Sequence, residues 1–183
     1  MKKIETPLDG AFIIEPQVFG DVRGWFYESY SKQKMHDIGI DVEFVQDNRS
    51  FSAQQGTLRG LHCQTSPMAQ TKLLTCLRGR IMDVAVDIRR GSPTYMQWTA
   101  VELSGENKKM FFIPKGFLYG FVTLTPDVEV SYKVDEYYAP ANDRSVKFDD
   151  PDIGVDWGVK VPILSDKDMK APLLKDSDIE FIY

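Results

Sequence analysis

Two stretches of this sequence alternate apolar and polar residues with a period of two, the spacing that places alternate side chains on opposite faces of an extended strand. In residues 128–134 (VEVSYKV) the alternation predicts that four side chains face inward: Val128, Val130, Tyr132 and Val134. In residues 81–88 (IMDVAVDI) it puts the apolar residues Met82, Val84, Val86 and Ile88 on one face and Asp83, Ala85 and Asp87 on the other. Glycine and proline recur between such runs at intervals too short for ordinary helices. The pattern predicts an all-β sandwich or barrel.

One short helix is predicted around residues 31–39 (SKQKMHDIG), which ends at Gly39 and carries His36 on a polar surface. After about Pro140 the sequence predicts mainly loops and short turns. A chain of 183 residues is long enough for one hydrophobic core and short for two, so we expect a single domain over residues 1–183.

Composition excludes several classes of protein. The net charge of -5 argues against general nucleic-acid binding. No apolar run approaches the ~18 residues of a membrane span, and the start, MKKIETPLDG, has no apolar segment behind its lysines. We therefore predict a cytoplasmic protein without membrane association. The two cysteines, Cys63 and Cys76, fit a reducing compartment.

The chain has only two histidines, His36 and His62, which limits its chemistry. A metal site in a small β-barrel needs several converging His, Cys or carboxylate ligands, so we expect none here. A Cys63 nucleophile activated by His62 is disfavoured because neighbours in a strand point to opposite faces.

The segment 58–64 (LRGLHCQ) places polar groups in a run that otherwise looks like a buried strand. An imidazole suits proton abstraction at neutral pH, but a hydrogen-bonded core histidine explains His62 equally well. Arg59 would face away from His62 in a regular strand, unless Gly60 permits a bulge that brings both to one cavity. Lys72 poses a similar question, because an ammonium group in an apolar strand must be paired or face a wet pocket.

Taken together, a series of motifs resembles the nucleotide-sugar 3,5-epimerases, the family of dTDP-4-dehydrorhamnose 3,5-epimerase. The matching segments run in the family's order from about residue 12 to residue 173: FGDVRGWFYESY, FVQDNRS, TLRGLHCQ, QTKLLTCLRGRIMDVAVDIRRGSPTY, VELSGENKKMFFIPKGF, YYAP, DDPDIGVDW and LSDKD. The resemblance implies a cupin-type jelly-roll barrel with short peripheral helices. It also implies a homodimer in which the N-terminal strands cross to the partner.

The resemblance also implies roles for individual residues. His62 corresponds to the catalytic base, Tyr132 to the proton donor, Asp168 to the carboxylate paired with the histidine, and Lys72 to the lysine near the keto oxygen. Further residues fall at positions that bind the nucleotide or the sugar: Arg23, Phe26, Glu28, Gln46, Asn48, Arg59, Tyr119, Tyr138, Asp143 and Lys167. No metal or redox cofactor is required.

These residue types suit the chemistry. In a 4-keto sugar, the hydrogens beside the ketone are acidic because the carbanion delocalises into an enolate. One base removes a proton, and an acid on the other face of the ring must return one to invert the centre. A lysine already in place stabilises the enolate oxygen. Arginines such as Arg23 and Arg59 suit the diphosphate.

The sequence departs from the family at several positions. A tyrosine, Tyr119, stands where the family usually has histidine, and Arg49, Cys63 and Asp143 also differ. A phenol cannot become cationic as an imidazole can, so enolate stabilisation falls more heavily on Lys72. This favours the hypothesis that the protein epimerises C3 only, or accepts another sugar or nucleobase. A sugar-nucleotide-binding cupin without catalysis and a metal-dependent cupin are further alternatives.

Overall fold

The computed structural model describes residues 1–183, and strands dominate it. The strands are β1 Lys2–Glu5, β2 Phe12–Glu15, β3 Val18–Asp21, β4 Gly24–Tyr27, β5 Gln46–Ser52, β6 Leu58–Gln64, β7 Lys72–Arg78, β8 Arg80–Asp87, β9 Arg89–Arg90, β10 Trp98–Ser104, β11 Met110–Ile113, β12 Phe117–Thr123, β13 Val128–Val134, β14 Asp143–Ser145 and β15 Phe181–Ile182. The helices are α1 Lys32–Asp37, α2 Asp166–Met169 and a 3₁₀ turn at Leu174–Asp176. None of these helices has the length and apolar character needed to cross a membrane.

Two main sheets face each other and form a jelly-roll barrel. One has six strands in the order β1-β2-β11-β7-β13-β5, and the other has five in the order β10-β8-β12-β6-β14. Neighbouring strands within both sheets run antiparallel. Many of these neighbours are far apart in sequence, as a jelly roll requires. The predicted all-β jelly-roll fold is confirmed.

The predicted alternation of β13 is present. Val128 and Val130 are buried in the core between the sheets, and Tyr132 packs against that core while remaining partly exposed. On β8 the alternation is also present, but both faces are buried. Val84 and Val86 pack against Val146, Trp157 and other residues of the C-terminal segment, which covers the outside of the five-stranded sheet.

The face of β8 that carries Asp83 and Ala85 therefore looks into the barrel. Ala85 belongs to the core between the sheets, and Asp83 is completely buried. Neither oxygen of the Asp83 carboxyl group has a hydrogen-bond partner. Burial raises the pKa of this group well above its ordinary value, so the buried acid is held in its neutral form.

The predicted helix is confirmed over Lys32–Asp37. The side chain of Ser31 caps its N-terminus by accepting a hydrogen bond from the Lys34 backbone N–H. His36 is exposed, and its Nδ1 lies 3.0 Å from Oδ1 of Asp41. Before this helix, β3 and β4 form a separate two-stranded hairpin, Val18–Tyr27, that pairs with neither main sheet.

Gly60 allows β6 and β12 to approach closely. A side-chain carbon at Gly60 would lie 2.6 Å from the Gly120 Cα, so only glycine fits there. The pairing of these two strands is irregular at this point: Tyr119 faces His62, whereas Phe121 faces Arg59. The bulge predicted at Gly60 is confirmed, and it brings Arg59 and His62 to the wall of one cavity.

Candidate active site

Two adjoining cavities open between the main sheets, and the same four side chains line both. The volumes are about 160 Å³ and about 360 Å³, and the shared residues are His62, Tyr119, Tyr132 and Lys167. His62 stands on β6 of the five-stranded sheet, while Tyr132 stands on β13 of the six-stranded sheet. An imidazole and a phenol thus face one space from opposite walls.

His62 is held by a carboxylate from the C-terminal segment. Its Nε2 lies 2.5 Å from Oδ1 of Asp168, which is only 3% exposed. Burial opposes ionisation of Asp168, but the hydrogen bond from His62, the charge of His62 and the hydrogen bond from Ser165 outweigh it and lower the pKa of Asp168. An ionised carboxylate only accepts hydrogen bonds, so Nε2 carries the proton and Nδ1 keeps a free lone pair.

Lys72 brings a buried ammonium group to the cavity. The residue is 7% exposed, and its Nζ donates a hydrogen bond to Oε1 of Gln70 at 2.9 Å. Burial lowers its pKa to about 8, although the charges of Cys63, Asp143 and Asp135 act in the opposite direction. The sequence predicted that this ammonium would be paired or face a wet pocket; it lines the cavity, and its hydrogen-bond partner is the neutral Gln70 amide. At neutral pH Lys72 remains mostly charged.

Tyr119 lies among the other reactive groups. Its ring centroid is 6.2 Å from that of His62, edge to face, and 6.3 Å from that of Tyr132. The ammonium nitrogen of Lys72 lies 4.3 Å from the Tyr119 ring centroid and 5.4 Å from the Tyr132 ring centroid. Both contacts have cation–π geometry, so the two aromatic rings support the charged form of Lys72.

Polar and cationic groups surround this centre. Arg59 donates hydrogen bonds to Ser52 Oγ at 3.3 Å and to the Phe51 carbonyl at 3.0 Å, which fixes its guanidinium group at the rim. Lys167 Nζ lies 2.5 Å from Oδ2 of Asp143. Two exposed cations on one side of a cavity suit an anionic ligand such as a phosphate ester.

The structure brings together all but three of the predicted site residues. The two cavities are lined by Gln46, Asn48, Arg59, His62, Lys72, Tyr119, Tyr132, Tyr138, Asp143, Lys167 and Asp168. The other three, Arg23, Phe26 and Glu28, are exposed and lie on or just after the hairpin, away from the cavities of their own chain. Glu28 forms an ion pair with Lys34.

Sequence reasoning missed two residues that position the reactive groups, Gln70 and Ser165, and one further residue that lines the cavity, Gln64. Gln70 accepts the hydrogen bond from Lys72, and Gln64 lines the cavity two positions after His62 in the same strand. Ser165 caps α2 and donates from its Oγ to Oδ2 of Asp168 at 2.9 Å. The pattern Ser165-x-x-Asp168, a capping signature before a short helix, was the available signal.

The side chains give little support to the two other hypotheses, a Cys63 nucleophile and a metal site. Both cysteines are buried and unpaired. Burial raises the pKa of the Cys63 thiol to about 12, which leaves it protonated and unreactive. Cys63 packs against the apolar layer outside the five-stranded sheet and also lines the smaller cavity. No group of three or more His, Cys, Asp or Glu side chains has an arrangement that could hold a metal ion.

Comparison with known proteins adds a second line of evidence. The family model described as dTDP-4-dehydrorhamnose 3,5-epimerase matches residues 5–176. The chain belongs to the dTDP-4-dehydrorhamnose 3,5-epimerase family. A member from Salmonella typhimurium is 49% identical over 93% of this chain and 94% of its own. The predicted family and the isomerase class of the enzyme are thereby confirmed.

Solved structures of the dTDP-4-dehydrorhamnose 3,5-epimerase family superpose closely on this chain. The Bacillus anthracis enzyme, crystallised with TDP and PPi bound, has a TM-score of 0.93 and 50% identity, covering 94% of this chain and 99% of its own. The Legionella pneumophila enzyme, in complex with dTDP-4-keto-L-rhamnose, has a TM-score of 0.92 and 47% identity. The match covers 97% of this chain and 94% of its own.

Proposed function

We propose that this chain epimerises a dTDP-4-keto-6-deoxy sugar at C3 and C5, by removing and returning protons through an enolate. The observation that carries the proposal is the placement of His62 and Tyr132 on opposite walls of one cavity, with the Lys72 ammonium beside them. Family membership supports the reaction type, and the ligand of the Legionella pneumophila relative supports the sugar class.

His62 is the base in this proposal. Its Nδ1 accepts the proton from the carbon beside the ketone, and Asp168 stabilises the imidazolium that forms. Because Asp168 is tied to the Ser165 hydroxyl group, the imidazole plane is fixed before the substrate arrives.

Lys72 stabilises the enolate oxygen. Its ammonium is desolvated and already oriented by Gln70 and the two tyrosine rings, so little reorganisation accompanies the development of charge on the sugar. Tyr132 then donates its phenolic proton from the opposite face, which inverts the centre.

The nucleotide diphosphate is bound by Arg59 and Lys167 at the rim, and Tyr138 is the aromatic residue available for contact with the base. Arg23 and Phe26 join the site of the partner subunit in a homodimer with exchanged N-terminal strands. Two features support this arrangement: the hairpin pairs with neither main sheet of its own chain, and it exposes several large apolar side chains, including Phe19, Trp25 and Phe26. A cytoplasmic location remains a prediction.

Epimerisation at a single centre is the second candidate, and Tyr119 is the observation that favours it. A phenol carries no positive charge at any pH, and burial raises the pKa of Tyr119 well above 10, so the residue stays neutral beside the enolate. Incubation with dTDP-4-keto-6-deoxyglucose in heavy water, followed by NMR, separates the two candidates. Deuterium entering C3 and C5 at comparable rates supports the double epimerase; entry at C3 alone supports the single one; no entry at either carbon would contradict both.

A further inference from the structure

The side chain of Gln70 bridges Lys72 and the backbone of residues 136–139. Its Nε2 donates a hydrogen bond to the Glu136 carbonyl at 2.8 Å, and its Oε1 accepts the hydrogen bond from Lys72 Nζ at 2.9 Å. A carbonyl only accepts and an ammonium only donates, so a single orientation of the amide satisfies both neighbours. Gln70 therefore fixes the Lys72 ammonium relative to the segment that carries Tyr138.

Two other glutamines of the smaller cavity, Gln46 and Gln64, bind the backbone of the same segment. Their side chains form three hydrogen bonds with residues 137–139, between 2.8 and 3.2 Å long. The segment keeps these contacts when Gln70 is replaced. Lys72, by contrast, loses its only hydrogen bond. The effect of replacing Gln70 should thus fall mainly on the ammonium group.

The hydrogen-bond partner of Lys72 is neutral, although two carboxylates act on this ammonium by their charge, Asp135 and Asp143. Each of them pairs with another lysine. Asp135 Oδ2 lies 3.2 Å from Lys115 Nζ, and Asp143 Oδ2 lies 2.5 Å from Lys167 Nζ. The ammonium is therefore oriented without a carboxylate in direct contact, and its charge is not offset by an ion pair.

We propose that Gln70 is a positioning residue for Lys72: its amide ties the ammonium group to the segment that carries Tyr138 and, being neutral, leaves the ammonium its full charge. The inference rests on the proposed function, in which Lys72 stabilises the enolate. An ammonium group has three N–H donors, and Gln70 occupies one of them, so two are left for the sugar oxygen. A carboxylate in the same place would hold the ammonium but would offset the charge that the enolate needs.

Two substitutions of similar length separate orientation from charge. Gln70→Met removes the acceptor, so kcat should fall by about 10- to 100-fold because the ammonium group is misplaced. KM should change little, since Gln46 and Gln64 still hold the segment. Gln70→Glu supplies a charged acceptor, and kcat should fall by about 10-fold or more because the charge of Lys72 is partly neutralised. Gln97→Met and Gln97→Glu are the controls, because Gln97 is exposed outside both cavities.

The pKa of Lys72 is a readout that a purely structural role of Gln70 would not move in two directions. NMR of protein labelled with carbon-13 at lysine Cε should show this pKa, about 8 in wild type, rising by about one unit or more in Gln70→Glu and falling in Gln70→Met. The alkaline fall of kcat/KM should move in the same directions. The Lys72 signal is assigned by its absence from Lys72→Met. The other groups that face Lys72 are the same in both variants: Cys63, Tyr119, Tyr132, Asp135 and Asp143.

A double-variant cycle separates failure of this inference from failure of the proposed function. If Gln70 acts through Lys72, Gln70→Met should cause no further loss of deuterium exchange in a Lys72→Met background. The inference would be overturned by an unchanged kcat in Gln70→Met, by additive losses in the double variant, or by a pKa of Lys72 that fails to shift in opposite directions. Wild-type turnover by Lys72→Met would instead overturn the proposed role of Lys72 itself.

Discussion

His62 and Tyr132 come from different sheets of the barrel and meet at one cavity. Each side chain therefore projects from its own strand, and Asp168 of the C-terminal segment fixes the imidazole ring of His62. A fixed base and a fixed acid on opposite sides of a sugar ring are the geometric requirement for inversion at a carbon centre.

Replacement of His62 by Ala should lower the rate of deuterium exchange at the sugar carbons by at least ~100-fold, because general-base catalysis contributes that much. Binding of dTDP, measured by calorimetry, should change little because the phosphate ligands remain. His36→Ala is the matched control, since His36 is the other histidine and is exposed outside the cavities. Exchange by His62→Ala at the wild-type rate would rule out His62 as the base.

Asp168→Asn should lower kcat by about 100-fold or more, because the amide no longer stabilises the imidazolium or enforces its tautomer. Acid stability should change too. Because the pKa of Asp168 is lowered in the folded state, its contribution to stability is present above the unfolded pKa of about 3.9 and is lost as pH falls through the folded value. Urea unfolding between pH 6 and 2 measures this, with exposed Asp166→Asn as the control. Identical pH profiles for wild type and Asp168→Asn would contradict the assignment.

The pKa of Lys72, about 8, predicts an alkaline limit to activity. As pH rises through this value Lys72 loses the charge that stabilises the enolate, so kcat/KM should fall. Lys72→Met should lower kcat/KM by about 100-fold or more at pH 7. Its residual kcat/KM should not decline near pH 8. Lys109→Met is the control because Lys109 lies outside the cavities in a surface ion pair with Glu15. If kcat/KM of Lys72→Met still falls near pH 8, the titrating group is not Lys72.

Asp83→Val should stabilise the fold by ~1–3 kcal/mol, since it replaces a buried carboxyl group without partners by an apolar side chain of comparable size. The pKa of Asp83 is raised in the folded state. Its contribution is therefore most favourable below the unfolded pKa of about 3.9, and stability falls as pH rises toward the folded value.

Urea unfolding should show that the free energy of unfolding falls less between pH 4 and pH 8 in Asp83→Val than in wild type. The same change at exposed Asp149 should leave the decline unaltered. A less stable Asp83→Val protein would indicate that the buried carboxyl group has a partner.

An exchange of hairpins between subunits predicts complementation between two inactive variants. Arg23→Ala should disable the partner's site, and His62→Ala should disable its own. In a mixed dimer of the two, one site lacks both residues and the other is intact. Random mixing after unfolding and refolding should restore ~25% of wild-type activity, because half of the dimers are mixed. Activity that stays at the level of the separate variants would argue against the exchange.

Local patterns predicted much of the fold. The period-two runs identified β8 and β13, Gly39 marked the end of α1, and Gly60 indicated the bulge. They could not predict that Asp83 would face the interior, because burial of a carboxyl group without a partner runs against the energetic preference on which such predictions depend. They also could not show that the C-terminal segment covers the outer face of β8.

Local sequence patterns predicted less of the candidate active site than of the fold. Residue type alone left His62 open between a base and a core histidine, and only the resemblance to a family linked it to Asp168. The two are 106 positions apart, a separation over which sequence patterns carry no information. The polar residues Gln70 and Ser165 were overlooked because their roles depend on the groups that they hold.

The same separation has a consequence for synthesis on the ribosome. Residues 58–64 emerge early, but the carboxylate that orients the imidazole belongs to a helix formed by residues 166–169. All strands of the two main sheets are thus synthesised before the residues that complete the base. Premature termination before Ser165 would yield a product that keeps His62 and Arg59 but lacks both the carboxylate that orients the imidazole and Lys167 of the rim.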